Sequence, residues 1–136
     1  MKLPRRTLRK HAFSMIFQLE FHDNINIEEY FDMYIASLSL KTNQSGKDFV
    51  VQLFNQTKNN LPEIDETISR NLKNWTLKRL NKADLALLRL AVCEILTEKT
   101  PKRIIINEIL ELAKEFSSEE APAFINGILA GVGENI

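Results

Sequence analysis

Apolar side chains recur at three- and four-residue spacings through most of the chain, the periodicity of helices that bury one face rather than the two-residue alternation of strands. Leu8, Ala12, Met15, Ile16 and Leu19 form the first stripe. Pro4 precedes it at a natural first-turn position, and the polar run His22, Asp23 and Asn24 ends it. Ile27, Tyr30, Phe31, Tyr34, Ile35 and Leu38 mark a second helix, Thr42 to Gly46 reads as a loop with a helix start, and Phe49, Val50, Leu53 and Phe54 carry a third. Asn59, Asn60 and Pro62 interrupt the pattern before Ile64, Ile68 and Leu72 resume it and lead to Trp75, which is expected to anchor the core. From Asp84 the run DLALLRLAVCEIL is apolar almost all round, as a helix surrounded by others must be, so Asp84 to Leu96 is predicted to be the hub. Pro101 ends that element, Ile106 to Phe116 is predicted to be another amphipathic helix, and Ser118 with Glu119 and Glu120 opens the last, which runs toward Gly131. The predicted fold class is therefore all-α, a compact bundle of six or seven helices around a central apolar helix.

A chain of 136 residues, 44% hydrophobic and 26% charged, suits one domain spanning residues 1–136 and leaves no room for a second. Lys plus Arg and Asp plus Glu both number 18, so net charge gives no reason to expect attraction to polyanions or membranes. Distribution is more telling. Lys2, Arg5, Arg6, Arg9 and Lys10 all precede the first acidic residue, Glu20, and no basic residue follows Lys114. The lone Cys93 excludes an internal disulfide, and His11, Ser14, Gln18 and Glu20 interrupt any apolar core that a secretory leader would need. With no stretch of membrane-spanning length, a cytoplasmic protein without membrane partners is expected.

Catalytic chemistry finds little support. A metal site needs several converging ligands, and this chain offers His11 and His22 with Cys93 far away in sequence, so no metal or other cofactor is expected. Gly127, Gly131 and Gly133 lie late in the chain with no Lys after them, which does not make a phosphate loop. Glu108 with Glu111, and Glu94 with Glu98, share helix faces at spacings ordinary for solvated helices. Cys93 sits inside an apolar run without a neighbouring His, which suits a buried structural thiol. The protein is expected to bind rather than catalyse.

One face does carry chemistry. At about 100° per residue, Arg6, Lys10, Phe13 and Phe17 fall within an arc of about 60° on the first helix, with Arg9 near its edge. Cations and rings interleave there, and single-stranded RNA is held by cationic groups near its phosphates and flat side chains against unstacked bases. The helix N-terminus adds partial positive charge where Arg5 and Arg6 sit. The bland alternative is that Phe13 and Phe17 pack under another helix and leave the arginines as a solvated charge run.

Four strings recur in the order of a known family: the opening Arg5-Arg6-x-x-Arg9-x-x-Ala12; Ile64-Asp65 followed by Trp75 and LLRLAVCE ending at Glu94; INEILELAK from Ile106 to Lys114; and FINGIL from Phe124 to Leu129. Together they cover nearly the whole chain, which resembles the NusB family of transcription antitermination factors. The resemblance implies an all-helical fold of two packed halves that binds boxA RNA together with the small-subunit ribosomal protein acting as NusE. It also implies read-through of terminators by the RNA polymerase elongation complex, through other Nus factors and notably in ribosomal RNA operons, with a homodimer as a possible state. By matching positions, Arg5, Arg6, Arg9 and Lys10 would contact the RNA backbone. Phe17 would replace a Tyr often found there, Glu120 and Phe124 would border the same surface, and Asp84 with nearby Lys82 would face the protein partner. Ser14 stands where a Gln is usual and Ala123 where a basic residue is common, so weak RNA affinity without the partner is expected. Asn107 and Asn126 read as structural. Two rivals remain: a protein-interaction or homodimeric scaffold using the Phe13 and Phe17 face, and an accessory domain of an RNA-modifying enzyme, disfavoured because the chain carries no catalytic extension.

Overall fold

In the computed structural model, which describes residues 2–21, 27–73, 75–97 and 99–133, the apolar stripes become seven α-helices and one short 3₁₀ turn. They are α1 (Arg5–Gln18), α2 (Ile27–Leu38), α3 (Gln44–Asn59), α4 (Leu61–Arg70), α5 (Lys82–Thr97), α6 (Lys102–Phe116) and α7 (Ala121–Ala130), with the turn at Leu77–Arg79 between α4 and α5. No strand occurs among the described residues. The break at His22, Asp23 and Asn24 lies outside them, as does Glu98.

Local chemistry explains where the helices start. Asn43 accepts the Gly46 N–H at 2.9 Å and so satisfies one orphan donor of α3. Gly46 has no room for a side chain, because a Cβ there would lie 2.2 Å from Thr42 Oγ1. Asn81 does the same service for α5, accepting the Asp84 N–H at 2.7 Å, which moves the hub's first residue back to Lys82. The sixth helix begins at Lys102, directly after Pro101, rather than near Ile106. Two contacts hold this extra turn: Ile105 is fully buried, and Lys102 Nζ donates to the carbonyls of Ala130, the last residue of α7, and Val132 just beyond it. A stripe counted from Ile106 misses it because Lys102, which ties the turn down, does so through carbonyls at the end of another helix.

The hub behaves as its composition demands. Every residue from Asp84 to Ile95 is buried, and α5 touches α1, α3, α4, α6 and α7, while α1 also packs along α3. Burial extends to three charges on the hub, Asp84, Arg89 and Glu94, and the last two are matched by opposite charges. Glu94 accepts both Arg9 nitrogens at 2.8 and 2.9 Å. Arg89 donates to both Asp65 oxygens at 2.9 Å and also to Glu20, beside which Lys82 lies at 3.6 Å. These bonds tie α4 and both ends of the first helical segment to α5.

Trp75 does not anchor the core. Leu80 of the α4–α5 connection is buried, whereas the indole is on the rim, half exposed, with Phe124 6.4 Å away between ring centroids.

Candidate nucleic-acid interface

The cations and rings of α1 divide into an outer and an inner set. Arg5 is exposed, its guanidinium 4.1 Å above the Phe49 ring. Arg6 is also exposed and reaches α6, where it meets Glu108 through two bonds of 2.7 and 3.1 Å. The Arg6 hydrogen bond and charge hold the Glu108 carboxyl below its ordinary range. Lys10 lies 2.8 Å from Glu115. Phe17 is half-buried, stacked obliquely on exposed Phe21 at 4.8 Å.

Arg9 and Phe13 belong to the inner set, which corrects the expectation of one exposed strip. Arg9 points at α5 and is 4% exposed, held by Glu94, so no phosphate can reach it without breaking a buried ion pair. Phe13 is 5% exposed because Phe116 covers it at 5.0 Å and Phe17 flanks it at 5.9 Å.

The N-terminus of α1 opens a groove of about 900 Å³ against α3 and α6, lined by Arg5, Arg6, Arg9, Phe49, Lys99 and Glu108 among others. Arg5, Arg6 and Lys99 face one carboxylate there, with Arg9 beneath them committed to Glu94, and no side chain caps α1, so its first N–H groups add to the positive field. Phe49 and Lys99 were not legible as site residues. Phe49 carries the periodicity of a core stripe, and Lys99 is brought in by the turn between α5 and α6.

The other residues gather elsewhere. Asp84, Glu120 and Phe124 line a pocket of about 300 Å³ that shares no residue with the first, with Trp75 and Arg79 among its other walls. Asp84 is buried and accepts the Ser117 hydroxyl at 2.6 Å, so its carboxylate helps join α5 to the α6–α7 connection. Lys82 is half exposed beside Glu20.

Among the described residues no group of three or more His, Cys, Asp or Glu side chains could hold a metal ion, and no helix is long and apolar enough to cross a membrane. Burial pushes the Cys93 thiol up, away from the thiolate that a nucleophile requires.

Comparison with known proteins gives a consistent picture. The model of the NusB family matches residues 6–134. The chain is similar to the transcription antitermination protein NusB of Natranaerobius thermophilus, with 37% identity over 98% of this chain and 97% of that protein. The corresponding protein of Staphylococcus aureus strain MRSA252 is 39% identical over 96% of this chain and 98% of its own. Among solved structures, T. maritima NusB superposes with a TM-score of 0.88 at 36% identity, covering 98% of this chain and 93% of that one. A crystal structure of the antitermination factors NusB and NusE in complex with dsRNA contains a similar chain, with a TM-score of 0.81 at 25% identity and 97% of both chains covered.

Proposed function

The chain belongs to the NusB family, and on that premise we propose that it is a transcription antitermination factor that holds boxA-type single-stranded RNA at the α1 groove. A small-subunit ribosomal protein acting as NusE docks beside it, on the Asp84 and Lys82 side of α5. The assembly joins the RNA polymerase elongation complex through other Nus factors and promotes read-through, notably in ribosomal RNA operons. The work is cytoplasmic and consists of binding, with no covalent step and no cofactor.

One observation supports this reading most: the uncapped start of α1 faces a groove where Arg5, Arg6 and Lys99 stand against one carboxylate. Phosphates meet Arg5 directly, since it has no carboxylate to surrender. At Arg6 and Lys10 a phosphate replaces partly buried Glu108 and exposed Glu115, an exchange of ion pairs at the surface that costs little. Arg9, paired with Glu94, holds α1 on the hub, while Phe17 offers a ring edge next to Phe21. Phe13 supports that ring from inside. Glu120 and Phe124 border the path where the RNA leaves α1 for the partner.

Fluorescence anisotropy of end-labelled boxA RNA, with and without the NusE partner, tests this. The double variant Arg5→Glu, Arg6→Gln should lose most binding in both conditions while far-ultraviolet circular dichroism stays unchanged. Binding should also weaken with added salt by a log–log slope of about 0.7 per phosphate neutralised on a single strand, against about 0.9 on a duplex. Unchanged affinity in the variant, or indifference to salt, would remove the groove from the mechanism.

A further inference from the structure

Much of the cationic charge of α1 is engaged, since Arg6, Arg9 and Lys10 each face a carboxylate. A second stretch differs. Between Glu66 and Asp84 the sequence holds Arg70, Lys73, Lys78, Arg79 and Lys82 and no acidic residue. Among the described residues Lys73, Lys78 and Arg79 are exposed and have no carboxylate partner. They flank Trp75, whose indole is 50% exposed.

The indole is one wall of the pocket of about 300 Å³. The Arg79 guanidinium lies 5.6 Å from the indole centroid, the Phe124 ring meets it edge-on at 67°, and Leu80 with Ala121 adds apolar lining. Polar groups stand at the mouth. The Asn81 carbonyl oxygen is committed to capping α5, which leaves its NH₂ group as donor, and Glu120 is exposed as acceptor.

We infer that this pocket takes one unstacked base of a single-stranded RNA, with Trp75 as its stacking platform and Lys73, Lys78 and Arg79 meeting the flanking phosphates. The pocket's own lining sets Arg79 against Glu120 and the Ser117-bound Asp84, and Lys73 and Lys78 stand within three residues of the indole along the chain. A partner protein's apolar side chain would use the indole alone, whereas a base with phosphates on either side uses the indole and these cations. The pocket is large enough for one base, and the Asn81 amide and the Glu120 carboxylate face its polar edge with one donor group and one acceptor group. The inference rests on the RNA-binding reading above but needs none of the α1 arginines, so it extends the RNA path to a second, separate cavity.

Trp75 is the sole tryptophan of the chain, so its emission reports this pocket alone. The full chain is titrated with boxA RNA while Trp75 emission is followed, in parallel with the anisotropy of the end-labelled strand. Emission should be quenched along the same curve as the anisotropy rises. Trp75→Ala should weaken binding about tenfold and Trp75→Phe much less, as expected for loss and retention of a stacking ring. Because the indole is on the rim, circular dichroism should be the same for both variants. Rising anisotropy with unchanged Trp75 emission, and with normal affinity in Trp75→Ala, overturns the pocket assignment and leaves the α1 reading intact. No rise in anisotropy at all overturns the α1 reading, and this inference with it. Emission that responds to the ribosomal protein but not to RNA makes this face a protein interface and also overturns the inference.

Discussion

Arg9 and Arg6 are three residues apart on one helix and do different work, because their carboxylates lie at different depths. Arg9 meets Glu94 with both side chains less than a tenth exposed, whereas Arg6 meets Glu108 at the surface. Removing one partner of a buried pair strands the other charge in a medium that cannot solvate it, which typically costs about 3–5 kcal/mol, while replacing both with apolar groups is often close to neutral. Arg9→Met should therefore lower stability by about that amount in urea titrations, and adding Glu94→Leu should recover most of it. Arg6→Gln should leave the urea midpoint where it was. Were Arg9→Met as stable as the parent, the pair would be an accessory of the fold and Arg9 would be available to RNA after all. Sequence periodicity put Arg9 at the edge of the cationic arc, and that much was correct. What it could not supply was Glu94, which lies 85 residues away in the chain and looks like an ordinary helix-surface carboxylate until α5 is placed at the centre.

At the level of whole helices, the readable features were those written in local chemistry. The all-round apolarity of α5 marked the hub, and Pro4, Asn43 and Pro62 marked starts of α1, α3 and α4. The misread elements were those defined by a distant partner. The first turn of α6 is stabilised by carbonyls at the end of α7, and Trp75 lies on the rim while Leu80 of the same connection is buried in the core. Size and aromaticity argued for burial, yet the connection between α4 and α5 turns Leu72, Leu77 and Leu80 to the core instead. Asn81, which received no attention in the sequence, starts the hub itself. Asn81→Ala removes the acceptor for the Asp84 N–H and should cost about 1 kcal/mol, measurable as a lowered urea midpoint with an unchanged m-value. Asn81→Asp or Asn81→Ser should retain most of that stability, because either side chain can accept the same bond. An equal loss in all three variants would mean that the residue packs rather than caps.

Across the whole molecule, acid should unfold this protein in two stages, because two kinds of buried or paired group resist protonation. His11, between α1 and α2, has Nδ1 2.9 Å from the Tyr34 hydroxyl, and burial, helped by the charge of Lys41, holds it below its ordinary value of 6.5. As pH falls through that value the unfolded chain takes up a proton that the folded one refuses, so stability present above it declines until the folded value has been passed. Glu20 and Glu108 act lower down. Burial pushes Glu20 up, but the hydrogen bonds and charges of Arg89 and Lys82 outweigh it, and Arg6 holds Glu108 down, so both titrate below their ordinary 4.5 when folded. Their contribution is complete above that value and is lost as pH falls beneath it, the same direction as for His11 but in a separate window. Melting temperature followed from neutral pH downward should thus fall first near 6.5 and again below 4.5. His11→Gln should flatten the upper step and leave the lower one, whereas Glu20→Gln should lower stability at neutral pH and weaken the lower step. A single step near 4.5 in the parent protein would show that His11 is solvated as freely in the folded chain as in the unfolded one, and that the α1–α2 contact opens without resisting a charge.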